Sequence, residues 1–428
     1  MENQWKLVEG FHRLSQDERR SRVATLCDLS TEEMDVLSGK NPLSPDISEH
    51  LIENVIGTFQ IPLGVATNFK IDGRDLLIPM AVEETSIIAA CSASAKWVKN
   101  QGSIRTYMKG NLIIGQVQIP SVKNVEHAVK VLTEKREMLV ALANACVPGL
   151  VARGGGIHDI VIREISPELN YGQHSMLVLH VLCDPCDAMG ANLINQVCEA
   201  LKPRVEELTS EKVGLCILSN LVDTKLACAE VIIRNVDEVV GRGIVEATRF
   251  AKADPYRAAT HNKGVLNGID PILIATGNDW RAVEAGIHAF AARTGRYQPV
   301  TDWKMDQGDL IGTFEAPLVV GTVGGMTRVH PTAKVALKML GVSKADDLAR
   351  ICAAVGLIQN LGALKALATV GIVKGHMQLH AANLAIAAGA DAHEIAAVRD
   401  RLSQILKIEN HINLTHAKEA LEFVRVGG

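Results

Sequence analysis

The clearest structural pattern in the sequence starts with NLIIGQVQI at residues 111–119, where residues alternate as in a β-strand. Five further segments continue it as helix, strand, strand, helix and strand, at residues 122–146, 158–165, 176–183, 188–208 and 213–218. The order β-α-β-β-α-β is that of a ferredoxin-like domain. The sequence therefore predicts a small domain of this kind in the middle of the chain.

The segments on either side of this unit carry mainly helical patterns, and 428 residues are too many for one ordinary hydrophobic core. We predict an α+β protein whose large, helix-rich domain, residues 1–110 and 220–374, is interrupted by the small domain at residues 111–219. From Lys344 onward the pattern is almost entirely helical with glycine breaks, which predicts a helical unit at residues 375–428.

Local signals add detail to the large domain. Ser30 stands where an N-cap is expected, directly before a helical stretch that opens with TEEM. Asp72 and Gly73 lie between two short apolar runs, which predicts a β-hairpin. Apolar runs at residues 308–314 and 318–323 predict two further strands.

The composition argues against several classes of protein. Lys plus Arg total 44 and Asp plus Glu total 48, a near balance that does not provide the broad basic face of a nucleic-acid binder. Aromatic residues make up only 4%, too few for base-stacking platforms. The N-terminal residues do not resemble a secretory signal, and no uncharged apolar run reaches the roughly 18 residues of a membrane span. We expect a soluble cytoplasmic protein.

Nine cysteines are scattered over the chain, an odd number that favours reduced thiols over a disulfide framework. Cys183 and Cys186 form a CxxC pair, but no second pair stands at zinc-ligand spacing. The pair does lie between a predicted strand and a predicted helix, as a redox motif would. We favour two ordinary thiols and expect no metal.

Three common signatures, GxGxxG, Walker A and GxSxG, are absent from the sequence. Two glycine clusters, at residues 154–156 and 321–325, are either phosphate-binding loops or tight turns, and glycine content alone favours turns. The string DAMGAN at residues 187–192 lies where a strand is expected to end and a helix to begin. Such a helix N-terminus can hold a pyrophosphate, but Asp187 could equally be a plain N-cap.

Four polar segments are further candidates, and each has an ordinary explanation. The acids of residues 83–86 either favour the start of the next helix or provide a proton donor. Residues 254–268 and 277–281 bring a lysine and an aspartate close in sequence, as an oriented charge pair or as an incidental pair in a solvated loop. Residues 375–380 place two histidines at i and i+4 but lack the Glu of a zinc-binding HExxH motif.

Strings from four of these segments, together with a further string at residues 53–57, occur in the same order in one known family. They are ENVIG at 53–57, DAMGAN at 187–192, HNKG at 261–264, GND at 277–279 and GHM at 375–377. The sequence resembles class II 3-hydroxy-3-methylglutaryl-coenzyme A (HMG-CoA) reductases over essentially its whole length. The resemblance implies interconversion of HMG-CoA with mevalonate and CoA, by two hydride transfers through a hemithioacetal and mevaldehyde.

The resemblance also implies roles for four residues. Lys263 corresponds to the lysine that stabilises the developing oxyanion, and Asp279 to the aspartate that is hydrogen-bonded to it. Glu84, chosen over Glu83, corresponds to the proton donor of the aldehyde step. His376 corresponds to the histidine that protonates the departing CoA thiolate, which leaves His380 as a packing residue.

Binding residues follow from the resemblance in the same way. For the substrate it implies three residues near the HMG group and two near CoA: Arg257, Asn267, Ser86, Glu53 and Asn54. For the cofactor it implies the loop that contains Asp187, Met189, Gly190, Ala191 and Asn192. The acid that reads the adenosine ribose in some members would align near Val147, where this chain has neither an acid nor a base for a 2′-phosphate. NAD(H) is favoured over NADP(H), and both stay open.

The family further implies a homodimer with shared active sites, with assembly beyond the dimer left open, and a C-terminal lid. Hydride transfer in two rounds needs cofactor exchange while the aldehyde stays bound, which gives a lid a physical purpose. Two alternatives remain: a non-redox CoA-thioester enzyme, for which Cys91 would be the thiol to test, and a non-catalytic binding module.

Overall fold

Two β-sheets organise the chain, which the computed structural model describes over residues 4–369, 381–409 and 411–426. The strands are β1 Leu63–Ile71, β2 Arg74–Ala81, β3 Gly102–Lys109, β4 Ile113–Ile119, β5 Gly156–Ile165, β6 Met176–Asp184, β7 Cys216–Ser219, β8 Leu226–Ile233, β9 Thr301–Asp306 and β10 Asp309–Pro317. This arrangement of sheets and many helices is α+β, as predicted.

The first ten α-helices are α1 Gln16–Cys27, α2 Thr31–Ser38, α3 Pro45–Glu49, α4 Ile87–Gln101, α5 Val125–Glu134, α6 Arg136–Ala145, α7 Pro148–Val151, α8 Pro167–Asn170, α9 Ala191–Thr209 and α10 Glu238–Ala253. The later helices are α11 Pro255–Ala275, α12 Trp280–Ala291, α13 Met326–Val329, α14 Pro331–Leu340, α15 Ala345–Ala368, α16 at residues 381–387, α17 Ile395–Glu409 and α18 Leu414–Val426.

The smaller sheet has the strand order β5-β6-β4-β7, with every neighbouring pair antiparallel. Alternate residues of β6 share one face, and they form a buried core with α5, α6 and α9. Strands and helices follow one another here in the predicted order. The helix predicted at residues 122–146 is interrupted, because α5 ends and α6 begins on either side of Lys135.

The larger sheet has the order β2-β1-β3-β8-β10-β9 and lies against α4, α11 and α15, with which it shares the main hydrophobic core. The hairpin predicted at Asp72-Gly73 joins β1 to β2. Both residues have positive φ, 49° and 79°, as the two central positions of a type I′ turn require. The predicted N-cap is also present, since Ser30 Oγ accepts the N–H of Glu33 at 3.3 Å.

One predicted strand is wrong. Residues 318–323 form a loop, although their apolar run resembles a strand. The N–H of Gly321 donates to the side chain of Asn278, and the N–H of Thr322 donates to the carbonyl of Asp187. Because these donors are used by distant parts of the chain, they are not available for a sheet ladder.

Helix α15 is the central helix of the large core. It is long and apolar enough to cross a membrane by length and composition, but 67% of its most apolar window is buried inside the protein. It contacts α4, α10, α11 and the larger sheet. Its apolar character is therefore accounted for by packing on all sides within a globular core.

The C-terminal helices α16, α17 and α18 have a small hydrophobic cluster of their own, which includes Ala385, Leu402 and Leu421. Arg425 at the end of α18 pairs with Glu394 just before α17, with 2.8 Å between Arg425 Nε and Glu394 Oε1. Residues 375–380, which open the predicted helical unit, lie outside the described residues.

Candidate active site

The segment at residues 254–268 is not a solvated loop, because it lies within helix α11. Asp254 caps this helix by accepting the N–H of Tyr256 at 3.2 Å, and Pro255 occupies its first position. Lys263 and Asn267, one turn apart, lie on the more exposed face. Arg257 is six positions before Lys263 and lies about 120° around the helix from it. The structure thus brings Lys263 and Asn267 onto one face of α11 and places Arg257 on a neighbouring part of the helix surface.

Two buried side chains beside Lys263 anchor this part of α11. His261 Nε2 lies 2.5 Å from Thr301 Oγ1 at the start of β9. Asn262 donates to the carbonyl of Gln298 at 2.9 Å and accepts the N–H of Val300 at 3.0 Å. Burial, with a smaller contribution from Arg257, lowers the pKa of His261 to about 3, so the ring is neutral at pH 7. These contacts fix the helix while Lys263 itself reaches outward.

Lys263 forms an ion pair with Glu84. Its ammonium donates to Glu84 Oε2 at 3.0 Å across 179 positions of sequence. The two side chains are 60% and 41% exposed, so the pair is accessible to a ligand. Glu84 lies in the turn between β2 and α4, two residues before the helix N-cap. The structure therefore places Glu84 and Lys263 together, as expected for a site that handles both a negative oxygen and a proton.

Ser86, the N-cap of α4, lies close to Glu84 in the same turn and has two unusual properties. Its φ is 79°, a left-handed conformation that is uncommon for residues other than glycine. Its Oγ is buried and has no hydrogen-bond partner among the described residues. Strain and an unpaired hydroxyl together are typical of a position that binds a ligand.

Asp279 lies at the other end of α11. Its Oδ1 accepts the N–H of Ala282 at 3.1 Å and so caps α12, and it lies 3.5 Å from Arg281. Helix α11 continues for 12 residues beyond Lys263, which is about 18 Å. Within the described chain, no ion pair joins Asp279 to Lys263. One copy of the protein therefore does not assemble the pair that the sequence led us to expect.

The DAMGAN loop joins β6 to α9. The N-cap of α9 is Gly190, with φ 87°, and no side chain caps this helix within the described residues. Asp187 is not its N-cap, so that alternative is wrong; Oδ1 of Asp187 instead accepts the N–H of Ala345 at the start of α15, at 3.0 Å. The first N–H groups of α9 thus remain available to an anion, as a pyrophosphate site requires.

The other residues predicted to bind substrate or cofactor lie elsewhere in the structure. Glu53 and Asn54 are exposed in a loop that also exposes the large side chains of Ile56 and Phe59. Val147, near which the ribose-reading acid was sought, is buried between α6 and α7. His376 lies outside the described residues.

The cysteines do not form an activated or metal-binding set. Burial raises the pKa of Cys183 to about 12 and also raises the pKa of Cys186 and Cys91. Such thiols stay protonated near pH 7 and are poor nucleophiles. Over the described ranges, potential metal-ligand groups come together only in the C-terminal segment, at Glu409, His411 and His416 and, in the turn before α17, at Asp391, His393 and Glu394. Both groups are largely exposed.

Sequence reasoning missed two charged residues near the site. Asp270, one turn beyond Asn267, is mostly buried, and burial together with Glu284 raises the pKa of its carboxyl to about 8. Lys225 is almost fully buried and pairs with Asp346 of α15 at 3.1 Å. A charged residue inside an apolar run, as in Gly268-Ile269-Asp270-Pro271, is the only local signal that could have identified the first of them.

Comparisons with known proteins agree with one another. A family model described as "Hydroxymethylglutaryl-coenzyme A reductase" matches residues 15–381. The 3-hydroxy-3-methylglutaryl-coenzyme A reductase of Archaeoglobus fulgidus is 47% identical over 424 residues, covering 98% of this chain and 94% of the relative. The same enzyme from Streptococcus pneumoniae has a solved structure that is 38% identical, with a TM-score of 0.82 over 97% of this chain and 99% of the other. A second structure from that organism, of the class II enzyme bound to NADPH in open conformations, is 38% identical and covers 85% of this chain and 100% of the other with a TM-score of 0.81.

Proposed function

The chain belongs to the HMG-CoA reductase family and is therefore an NAD(P)H-dependent oxidoreductase, and we propose that it performs the family reaction at a site built around the Lys263–Glu84 pair. The reaction converts HMG-CoA, two NAD(P)H and two protons into mevalonate, CoA and two NAD(P)⁺, or runs in reverse. The accessible ion pair of 3.0 Å is the observation that carries the assignment of the site.

The nicotinamide cofactor supplies the two hydrides, and the protein supplies charge and protons. When the thioester carbonyl gains a hydride, its oxygen becomes an alkoxide, which the ammonium of Lys263 stabilises. Glu84, beside that ammonium, donates the proton to the oxygen in the aldehyde step. His376 protonates the CoA thiolate as it leaves, so that the thiolate does not add back to the aldehyde. Ser86 and Asn267 bind the HMG portion, with Arg257 in the same role, and Glu53 and Asn54 contact CoA.

Active sites in this proposal are shared between two subunits of a homodimer. Lys263 and Asp279 lie toward opposite ends of α11, too far apart to meet within one chain. A second copy could supply Asp279 to the first copy's Lys263, and the reverse. The loop that contains Glu53 and Asn54 also exposes the apolar side chains of Ile56 and Phe59. Such exposed apolar side chains support the proposal that a second subunit covers this surface.

The small domain at residues 111–219 is the cofactor domain in this proposal, and it is ferredoxin-like. Its support is the strand order β5-β6-β4-β7 with crossing helices, and the uncapped start of α9 behind Gly190. Residues 1–110 and 220–374 form the substrate domain, and residues 375–428 form the lid. The cofactor is NAD(H) or NADP(H), with NAD(H) favoured because no base stands near Val147. We place the enzyme in the cytoplasm, with no metal.

The test follows nicotinamide absorbance with mevalonate, CoA and either NAD⁺ or NADP⁺, and with HMG-CoA and either reduced cofactor. Lys263→Ala should lower kcat about 10²- to 10³-fold, as loss of one oxyanion-stabilising group does. Lys252→Ala is the matched control. Lys252 is an exposed lysine on α10, and its ammonium pairs with the carboxylate of Asp302 at 2.6 Å. This substitution should leave kcat unchanged.

Two results would contradict the proposal. Folded protein that changes the absorbance with neither cofactor is not acting as the proposed reductase; release of CoA without absorbance change would favour the non-redox alternative. Activity retained in Lys263→Ala would remove the assigned role of Lys263.

A further inference from the structure

Gly321 lies between two parts of the proposed site. On one side its N–H donates to Oδ1 of Asn278, at 2.8 Å, and Asn278 directly precedes Asp279. On the other side its Cα faces the cofactor loop so closely that a Cβ there would lie 2.8 Å from the backbone nitrogen of Met189. A single residue thus separates the Asp279 turn from the loop that binds the cofactor in the proposed function.

The Asp279 turn is itself rigid. Gly277 has φ 68°, its N–H donates to the carbonyl of Ile274 at 3.2 Å, and the N–H of Asn278 donates to Leu273 at 2.8 Å. These two bonds make a Schellman motif that closes α11. The backbone of Asn278 is therefore committed to the helix end, and its side chain alone reaches Gly321.

The cofactor loop is held from the same side. The carbonyl of Asp187 accepts the N–H of Thr322 at 3.0 Å, and its carboxylate accepts the N–H of Ala345 at 3.0 Å. The Thr322 hydroxyl in turn donates to the carbonyl of Ser343 at 2.8 Å. The Gly321–Thr322 backbone is thus bonded both to the loop at residues 187–192 and, through one carboxamide, to the turn that presents Asp279.

We propose that Asn278 is a positioning residue: through Gly321 it sets the distance between Asp279 and the cofactor loop, and so the alignment of cofactor and reacting carbonyl. This inference rests on the proposed function. Hydride transfer needs reacting atoms about 3–3.5 Å apart, and a misplacement of about 1 Å can lower the rate on the order of 10²-fold. The carboxamide of Asn278 is bonded to Gly321 and Thr276, so the role proposed for it is exerted through Gly321 and not on a reacting atom.

Three variants test the inference. Asn278→Leu keeps similar side-chain bulk but cannot accept the Gly321 N–H. Gly321→Ala leaves Asn278 intact and instead pushes the cofactor loop away through the new Cβ. Thr276→Val is the matched control, because Asn278 Nδ2 donates to Thr276 Oγ1 at 3.0 Å and this change breaks that arm of the carboxamide while leaving its bond to Gly321. It also removes the bonds that the Thr276 hydroxyl donates to the carbonyls of Ile272 and Leu273, so any effect of the helix end alone appears in the control.

Both Asn278→Leu and Gly321→Ala should lower kcat on the order of 10- to 100-fold and raise the KM of the dinucleotide, with the KM of HMG-CoA within about twofold of wild type. The isotope effect on kcat with dinucleotide deuterated at the transferred position should rise, because hydride transfer becomes more rate-limiting. Thr276→Val should show none of these changes.

Wild-type kcat and dinucleotide KM in Asn278→Leu would overturn the inference, as would equal losses in Thr276→Val, or losses that merely follow a lower folded fraction. If Asn278→Leu does not fold, the same measurements on Gly321→Ala test the inference, and wild-type values of kcat and dinucleotide KM in that variant would overturn it. Dinucleotide affinity, titrated directly by fluorescence, separates this inference from the proposed function: weaker binding in both variants supports the Asn278–Gly321 connection even if the wild-type protein has no reductase activity.

Discussion

Toward its N-terminal end α11 presents a long, exposed side chain, and at its C-terminal end it presents a short carboxylate fixed by backbone bonds. Lys263 is paired with Glu84, a partner 179 positions away, in a contact open to solvent. Asp279 caps α12 and directly follows the Schellman motif, whose last residue, Asn278, accepts the N–H of Gly321. We therefore expect the first end to tolerate loss of its charge without loss of the fold. In the proposed function, the second end combines a catalytic role with a helix cap in one carboxylate.

The largest effect expected from this comparison is complementation between two inactive variants. If each site combines Lys263 of one chain with Asp279 of the other, a mixed dimer of Lys263→Ala and Asp279→Asn chains contains one intact site and one doubly damaged site. Purified through two different tags, it should regain about half of wild-type kcat per dimer, far above either parent. Activity no higher than that of the parents would mean that the two residues act in the same chain or not at all.

At the Lys263 end, Glu84→Gln tests whether Glu84 acts by donating a proton or only by its contact with Lys263. The amide keeps the shape and can still contact Lys263, but it cannot donate a proton as a carboxylic acid does. We expect kcat to fall about 10²- to 10⁴-fold. The change in unfolding free energy should stay within about 1 kcal/mol, since exposed ion pairs contribute little. A large loss of stability would show that this end also supports the fold. Glu83→Gln, the neighbouring acid, is the control and should retain wild-type kcat.

The buried His261, two residues before Lys263, should make the stability of the fold depend on pH. His261 has a pKa of about 3 in the folded protein, below the value of 6.5 expected when unfolded. The unfolded state therefore binds more protons as the pH falls, and stability present above pH 6.5 is lost progressively toward pH 3. From well above pH 6.5 down to pH 5 the loss amounts to about 2 kcal/mol. Denaturant unfolding at several pH values should show this slope, and His261→Gln should lose it; an unchanged slope in the variant would assign it to other groups.

How far the sequence predicts this molecule depends on how local the determinants are. Alternation and turn chemistry identified the elements of the small domain and the Asp72-Gly73 hairpin, because the residues that decide them are neighbours. The helix carrying Lys263 was open to interpretation as a loop because it contains Gly264 and Gly268. The structure gives a reason for the second: a Cβ at Gly268 would lie 2.8 Å from the backbone of Val355 in α15, so the glycine permits close helix packing.

The site residues divide in the same way. Glu84 and Lys263 could be selected from motifs, whereas the partner of Asp187 is a helix start 158 positions away that no local pattern indicates. The loop at residues 318–323 was mistaken for a strand for the same reason, since its donors bind Asn278 and Asp187.

The smallest expected effect tests whether Asp279 is needed both for activity and as the N-cap of α12. Asp279→Asn keeps an oxygen that can accept the N–H of Ala282, while Asp279→Ala removes the cap of α12. Both variants should lose most activity, because neither has the carboxylate. Only Asp279→Ala should also lose stability, by about 1 kcal/mol, the usual cost of replacing an N-cap by alanine. Denaturant unfolding of the two variants beside wild type measures the difference. Equal stability of the two would show that the cap contributes nothing and that this end, like the Lys263 end, keeps catalysis separate from folding.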